Sequence, residues 1–147
     1  MDDRLRIESA EKEIELVNER RGLSVTVLIA PYDIFFLGKI TEASEKLDGL
    51  HEKLKNDAPN GDYESFARFY AESREIDAEM RGIIDGIFDA EVCNTLFPTQ
   101  SMFALAGGMP TWANILTCII DQLDESLEGE KRKAQDRIRK YSAKYKK

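Results

Sequence analysis

The hydrophobic period of this chain changes near Pro31, and that change constrains the fold more than any other feature. Before Pro31 apolar and polar residues alternate over residues 4–30, and after Asp33 the apolar residues recur at spacings of three and four. A period of two is typical of half-buried strands, and a period of three to four is typical of amphipathic helices. We therefore predict an α+β, mostly α protein. A three-strand antiparallel meander over residues 4–30 would be followed by a bundle of three to five helices over residues 33–129.

The three predicted strands cover residues 4–8, 13–16 and 23–29, joined by turns at residues 9–12 and 18–22. Gly22 can take the positive φ that a tight turn needs. A helical interpretation of residues 2–20 competes, because Glu, Lys and Ala are good helix formers. The strict alternation of apolar and charged residues favours strands.

Capping residues and breaks divide the helical part. Asp33 can cap a helix to about residue 55, and the NDAPNGD break at residues 56–62 ends in a second potential cap, Asp62. Residues 63–93 have helical period and form one long helix or two, with Gly82 and Gly86 as weak points. We expect the capping aspartates to set the first residues of these two helices.

The uncharged residues 94–111 predict a buried segment with a turn, a short helix at residues 99–105 and a break at Gly107-Gly108. Pro110 suits the first turn of the last helix, which is predicted to continue to about Tyr141. The apolar stripe of that helix comprises Trp112, Ile115, Leu116, Ile119, Ile120, Leu123 and Leu127.

The length of 147 residues fits one compact domain. Charge is distributed unequally along this chain. Residues 131–147 contain nine Lys or Arg and one acid, so they carry +8; because the whole chain carries −7, the other 130 residues carry −15. We predict an acidic globular domain over residues 1–130 and a basic helix end or tail over residues 131–147. An acidic body makes nucleic acid an unlikely partner of the domain, since phosphate contacts need a basic surface.

Cofactor and catalytic motifs are not recognisable in the sequence. Cys93 and Cys118 form no CxxC pair, and with a single histidine the sequence lacks the closely spaced ligands of a zinc site. Both cysteines are predicted to be small buried hydrophobes. His51, the single histidine, is predicted at the surface. Gly107-Gly108 lacks the residues of a phosphate loop and is predicted to be a hinge or close-packing site. No signal peptide or membrane span is predicted, so we expect a cytoplasmic protein.

Acidic pairs at helical spacing raise an alternative function. They could converge on Mg²⁺ in a helical bundle, as in all-helical nucleotide hydrolases. The competing interpretation is a solvated acidic face, which the high acid content favours. The pairs are Glu72 with Glu75, Asp85 with Asp89, and Asp121 with Asp124.

The basic tail is a candidate partner-binding element, because cations interleaved with tyrosines can bind an acidic protein surface or a nucleic acid. Three alternatives remain open. The protein could be a regulator that binds nucleic acid through this tail, or the tail could bind the acidic body of another copy. The tail could also be only a helix end that keeps the protein soluble. The candidate residues are Arg137, Arg139, Lys140, Tyr141, Lys144 and Tyr145.

The C-terminal third resembles a known family. Its distinctive residues are LAGGMPTWAN at 105–114, Ile119-Ile120-Asp121, Asp124-Glu125 and KYSAKYKK at 140–147. They resemble small prophage proteins of Gram-positive hosts that are similar to the tail assembly chaperones of long-tailed phages. The resemblance implies a helical, non-enzymatic protein without a cofactor. Its partners would be the tape measure protein, the tail tube protein or both, in the host cytoplasm, with possible self-association.

A chaperone of this kind covers apolar helical surface of its partner, so it needs an apolar surface of its own. We therefore expect Trp112, Phe103 or Phe88 to lie near an apolar patch that binds the partner, with Phe103 and Trp112 as the candidate binding residues.

Overall fold

The computed structural model describes residues 3–123, 132, 135–136 and 138–140. Over these residues the protein is α+β and mostly helical, with two small antiparallel sheets. The elements are β1 (Lys12–Asn18), β2 (Leu23–Ile29), α1 (Ile34–Asn56), α2 (Tyr63–Phe88), α3 (Cys93–Leu96), β3 (Leu105–Ala106), β4 (Met109–Pro110) and α4 (Thr111–Ile120).

The N-terminal sheet has two strands, so the prediction of a three-strand meander is wrong by one strand. β1 pairs antiparallel with β2 across the predicted turn, where Gly22 has a φ of 65°. Residues 4–8 have strand-like alternation but join neither sheet. The chain between them and β1 lacks a glycine or asparagine to build a tight hairpin. Instead, the Ser9 hydroxyl accepts the Glu11 N–H at 3.0 Å.

The two long helices begin where the capping aspartates predict. Asp33 accepts the Phe35 N–H at 3.0 Å to start α1, and Asp62 accepts the Ser65 N–H at 2.6 Å to start α2. α2 continues through Gly82 as one helix, which decides the question left open by the sequence. The short loop between α1 and α2 makes them packed neighbours.

The glycine-rich segment differs from its prediction. Residues 99–105 are not a helix; the short helix is α3, and an irregular loop over residues 97–104 follows it. Gly107 and Gly108 have φ values of 62° and 84°. They form the two-residue turn that joins β3 to β4, a turn type that requires positive φ at both positions. The predicted hinge is therefore a β-hairpin.

The last predicted helix is shorter than expected, because α4 ends at Ile120. The N–H groups of Gln122 and Leu123 donate to carbonyls three residues back, which closes the helix in a tight turn. At its start, the Thr111 and Trp112 N–H groups donate to the carbonyls of Ala104 and Met102, each at 2.9 Å. The predicted positions Asp124 and Leu127 lie outside the described residues.

The core lies between α1, α2, α4 and β2, with Trp112 among its largest fully buried side chains. The Trp112 Nε1–H donates to His51 Nδ1 at 3.2 Å, and His51 is 5% exposed. The prediction of a surface histidine is therefore wrong: α1 turns His51 inward, where the indole N–H satisfies its ring nitrogen. Cys93 is buried as predicted, but Cys118 is exposed, because it lies on the outer face of α4.

The described part of the basic C-terminal segment packs against the acidic body. Ile138 is 2% exposed and belongs to the core. Lys140 Nζ lies 3.0 Å from Asp48 Oδ2 on α1. Among the residues that the structure describes, no helix is long and apolar enough to cross a membrane.

Candidate partner-binding groove

A groove of about 1040 Å³ lies between α2 and the chain that follows it. We call it the α2 groove. The exposed side of α2 forms one wall, and residues 97–104 form the other. The residues that line the groove include Phe66, Phe69, Tyr70, Asp77, Arg81 and Phe103.

Aromatic side chains dominate the N-terminal half of the groove. Phe66 and Tyr70 are 54% and 55% exposed, and their rings stack with centroids 6.3 Å apart and planes 28° apart. The spacing of four residues places them on the same helical face. Phe69 and, from the opposite wall, Phe103 are partly buried against the core. This half presents flat apolar rings to solvent.

A polar network fixes the loop wall to α2. Asp77 Oδ1 accepts the Met102 N–H at 2.7 Å, and its Oδ2 accepts from Arg81 Nε at 2.8 Å. Arg81 also donates to Asn94 Oδ1 at 3.0 Å and to the Gln100 carbonyl. One carboxylate and one guanidinium therefore hold the loop to α2 at Gln100 and Met102.

A second carboxylate holds the chain just before the loop. Asp85 Oδ1 accepts the N–H groups of Val92 and Cys93, both at 3.0 Å, which satisfies donors at the start of α3. Burial, helped by the nearby Asp85 charge, raises the pKa of the Cys93 thiol. Cys93 is therefore an inert, protonated packing residue.

Contacts from the far side complete the support of the loop. Asn18 Nδ2 donates to the Leu96 carbonyl at 2.8 Å, and Arg21 donates to Thr99 Oγ1 at 3.1 Å. The Gln100 amide donates to Thr111 Oγ1 at 2.9 Å. The β1–β2 turn and the start of α4 therefore brace the wall from behind, and the groove is formed before any ligand enters.

The acidic pairs named in the sequence have separate surroundings. Glu72 faces Lys53 at 4.0 Å, and a hydrogen bond with the Asp57 carboxyl raises the pKa of Glu72. Asp85 binds backbone N–H groups, and Asp89 ends α2. Within the described residues, no three side chains of His, Cys, Asp or Glu are grouped to hold a metal ion.

The predicted partner-binding residues are distributed over three environments. Phe103 lines the α2 groove, whereas Trp112 is 1% exposed in the core and presents no surface to a partner. Arg139 lies 3.8 Å from Asp136, and Lys140 pairs with Asp48. The other four candidates lie outside the described residues: Arg137, Tyr141, Lys144 and Tyr145.

Phe66, Tyr70 and Arg81 line the α2 groove but are not among the site residues predicted from the sequence. Phe66 and Tyr70 lie in the predicted helical segment 63–93, and an aromatic pair spaced by four on a polar helical face is a usable signal of a binding surface. The spacing of four between Asp77 and Arg81 predicts an ion pair on α2, but the contacts of Arg81 with Asn94 and the Gln100 carbonyl give no signal in the sequence.

No known protein family, curated protein or solved structure matches this chain. The resemblance to tail assembly chaperones therefore depends on the sequence motifs alone.

Proposed function

We propose that this protein is a non-enzymatic binding protein that receives a segment of a partner protein in the α2 groove. The observation that supports this most directly is the stacked, half-exposed pair Phe66 and Tyr70, facing a loop wall that is already hydrogen-bonded in place. Exposed aromatic rings in a concave, preorganised site are the usual anchors of protein recognition.

An amphipathic helix is the partner element that fits this groove best. A helix can insert apolar side chains between the rings of α2 and Phe103, while the wall remains fixed. Tape measure proteins of long-tailed phages are long and helical, with apolar faces that need cover before assembly. The resemblance of the C-terminal third points to the same partner, so we propose a chaperone-like role toward the tape measure or tail tube protein.

The direct test is co-expression with the tape measure and tail tube proteins of the same prophage, followed by pull-down and light scattering. We expect a soluble complex with one of them. The double variant Phe66→Ala with Tyr70→Ala should raise the dissociation constant at least about tenfold, because each ring is a large anchor.

Tyr63→Ala is the matched control, since Tyr63 is 84% exposed on α2 but does not line the groove. It should leave the dissociation constant unchanged. No complex with either protein well above micromolar concentration would refute the proposal. A Mg²⁺-dependent nucleotide hydrolysis assay would then be the next measurement.

A further inference from the structure

The N-terminal residues 3–9, here called the N-terminal arm, carry the two most exposed large apolar side chains of the described residues. Leu5 and Ile7 are 90% and 91% exposed. They alternate with the charged residues Arg4, Arg6 and Glu8. This is the pattern of a half-buried strand, but the arm belongs to neither sheet. An isolated segment with this pattern has an apolar face that remains uncovered in the single chain.

β1 offers an edge with a matching pattern. In the part of the chain that the structure describes, β1 pairs with β2 alone, so its other edge has no strand partner. Glu13 and Glu15 are exposed on one face, while Ile14 is partly buried and Leu16 is buried on the other. Unpaired strand edges are templates for strand addition.

One parallel register makes the arm and β1 complementary at four successive positions. It places Arg4 beside Glu13, Leu5 beside Ile14, Arg6 beside Glu15 and Ile7 beside Leu16. Opposite charges then share the outer face, and aliphatic side chains share the core face. Cross-strand pairs of both kinds stabilise a sheet.

We propose that the arm of one copy of this protein adds as a strand to the β1 edge of a second copy. The arm cannot reach this register on its own β1, because a parallel connection needs about a dozen residues. Only residues 9–11 separate the two segments.

An antiparallel fold-back within one chain is disfavoured by the sequence. A two-residue turn at Ser9-Ala10 would match residues 4–6 to residues 13–15 in charge and hydrophobicity. Next to the turn, however, it would place Glu8 beside Glu11 and Ile7 beside Lys12. That turn requires positive φ values, which Gly and Asn adopt readily but Ala does not. The arm and the edge are different surfaces, so each copy can act as donor and acceptor.

Disulfide trapping in the full-length chain tests the register directly. Arg6→Cys and Glu15→Cys are made in separate chains with different tags, both carrying Cys118→Ser to remove the exposed native thiol. Neighbouring strands lie about 4.7–4.9 Å apart, which is within the Cα separation of about 4.4–6.8 Å that a disulfide bridges. We expect mixing under oxidising conditions to give a disulfide-linked pair of the two tags.

Glu42→Cys replaces Glu15→Cys as the control, because Glu42 is exposed on α1 away from the edge. It should not be trapped. Equal trapping at Glu42, or no trapping at Glu15, would overturn the proposal. A chain carrying both Arg6→Cys and Glu15→Cys that links only within itself would also overturn it.

Light scattering of the unmodified chain gives an independent readout. Arg6→Glu should raise the dissociation constant of self-association at least about tenfold, because it places like charges side by side. Adding Glu15→Arg should restore it. Unchanged association in Arg6→Glu would contradict the register. Phe66→Ala with Tyr70→Ala should leave self-association intact, so this result does not depend on the groove.

Discussion

Asp77 is the residue whose removal should most disturb the α2 groove. Asp77→Ala deletes the acceptor of the Met102 N–H, and Met102 is 0% exposed. A buried donor left without a partner costs about 1–3 kcal/mol. The same change breaks the 2.8 Å pair with Arg81, whose side chain is 13% exposed, and loss of such a partly buried pair adds about 1 kcal/mol. We expect the free energy of unfolding to fall by about 2–4 kcal/mol.

Urea unfolding followed by the fluorescence of Trp112, the single tryptophan, measures this difference. Asp77→Asn should be intermediate, because its amide oxygen can still accept the Met102 N–H but carries no charge. Glu79→Ala is the control on the exposed face of α2 and should change stability by less than about 0.5 kcal/mol. If Asp77→Ala costs no more than Glu79→Ala, the loop is not held by this carboxylate and the argument for a preformed groove fails.

Two substitutions and one thiol-reactivity measurement test other parts of the structure. Asp89 ends α2 with a φ of 50°, so Asp89→Gly should stabilise the protein by about 0.5–1 kcal/mol in urea unfolding; a loss of stability would contradict the left-handed cap. Cys118 should react with a thiol reagent in the folded state and Cys93 only on unfolding, because burial raises the pKa of Cys93; peptide mapping distinguishes them, and equal rates would refute the assignment. The hydrogen bond with Asp57 raises the pKa of Glu72, so stability from this pair is present below the unfolded pKa and lost as pH rises through the folded one. Glu72→Gln should therefore reduce the fall in the urea midpoint between about pH 4 and pH 7, and an identical fall in both proteins would show that the pair does not matter.

The helix starts and the first turn could be predicted because their causes are local. An aspartate caps a helix through N–H groups two or three residues away, so Asp33 and Asp62 predict the starts of α1 and α2. Gly22 likewise supplies the positive φ of the turn between β1 and β2. The α+β class follows from the same local signals, since each hydrophobic period indicates its own element.

The third strand shows where local pattern fails. Residues 4–8 alternate as regularly as β1 does, but a strand also needs an edge within reach of the chain. Turn chemistry at residues 9–11 decides that point, and it does not permit a tight return. Gly107-Gly108 shows the opposite error: the prediction there is a break, although two consecutive glycines also suit a two-residue hairpin turn.

His51 could not be placed from sequence, because its partner Trp112 lies 61 residues away. A lone histidine in a charged helix is more often exposed, and only the packing of α1 against α4 brings the indole N–H to its ring. The α2 groove has the same origin. Its walls are held by Asp77, Arg81 and Arg21, and none of their contacts with the loop follows from spacing along one element.

The α2 groove and the N-terminal arm are exposed apolar surfaces that suit different kinds of binding partner. The α2 groove presents aromatic faces from a helix and a fixed loop, so it can recognise side chains without supplying a free backbone edge. The N-terminal arm belongs to neither sheet and has alternating apolar and charged side chains, so a sheet edge covers it best. Because no residue serves both surfaces, partner capture and self-association should be separable by substitution. A variant that loses both through Arg6 alone would show instead that the partner binds only the assembled form.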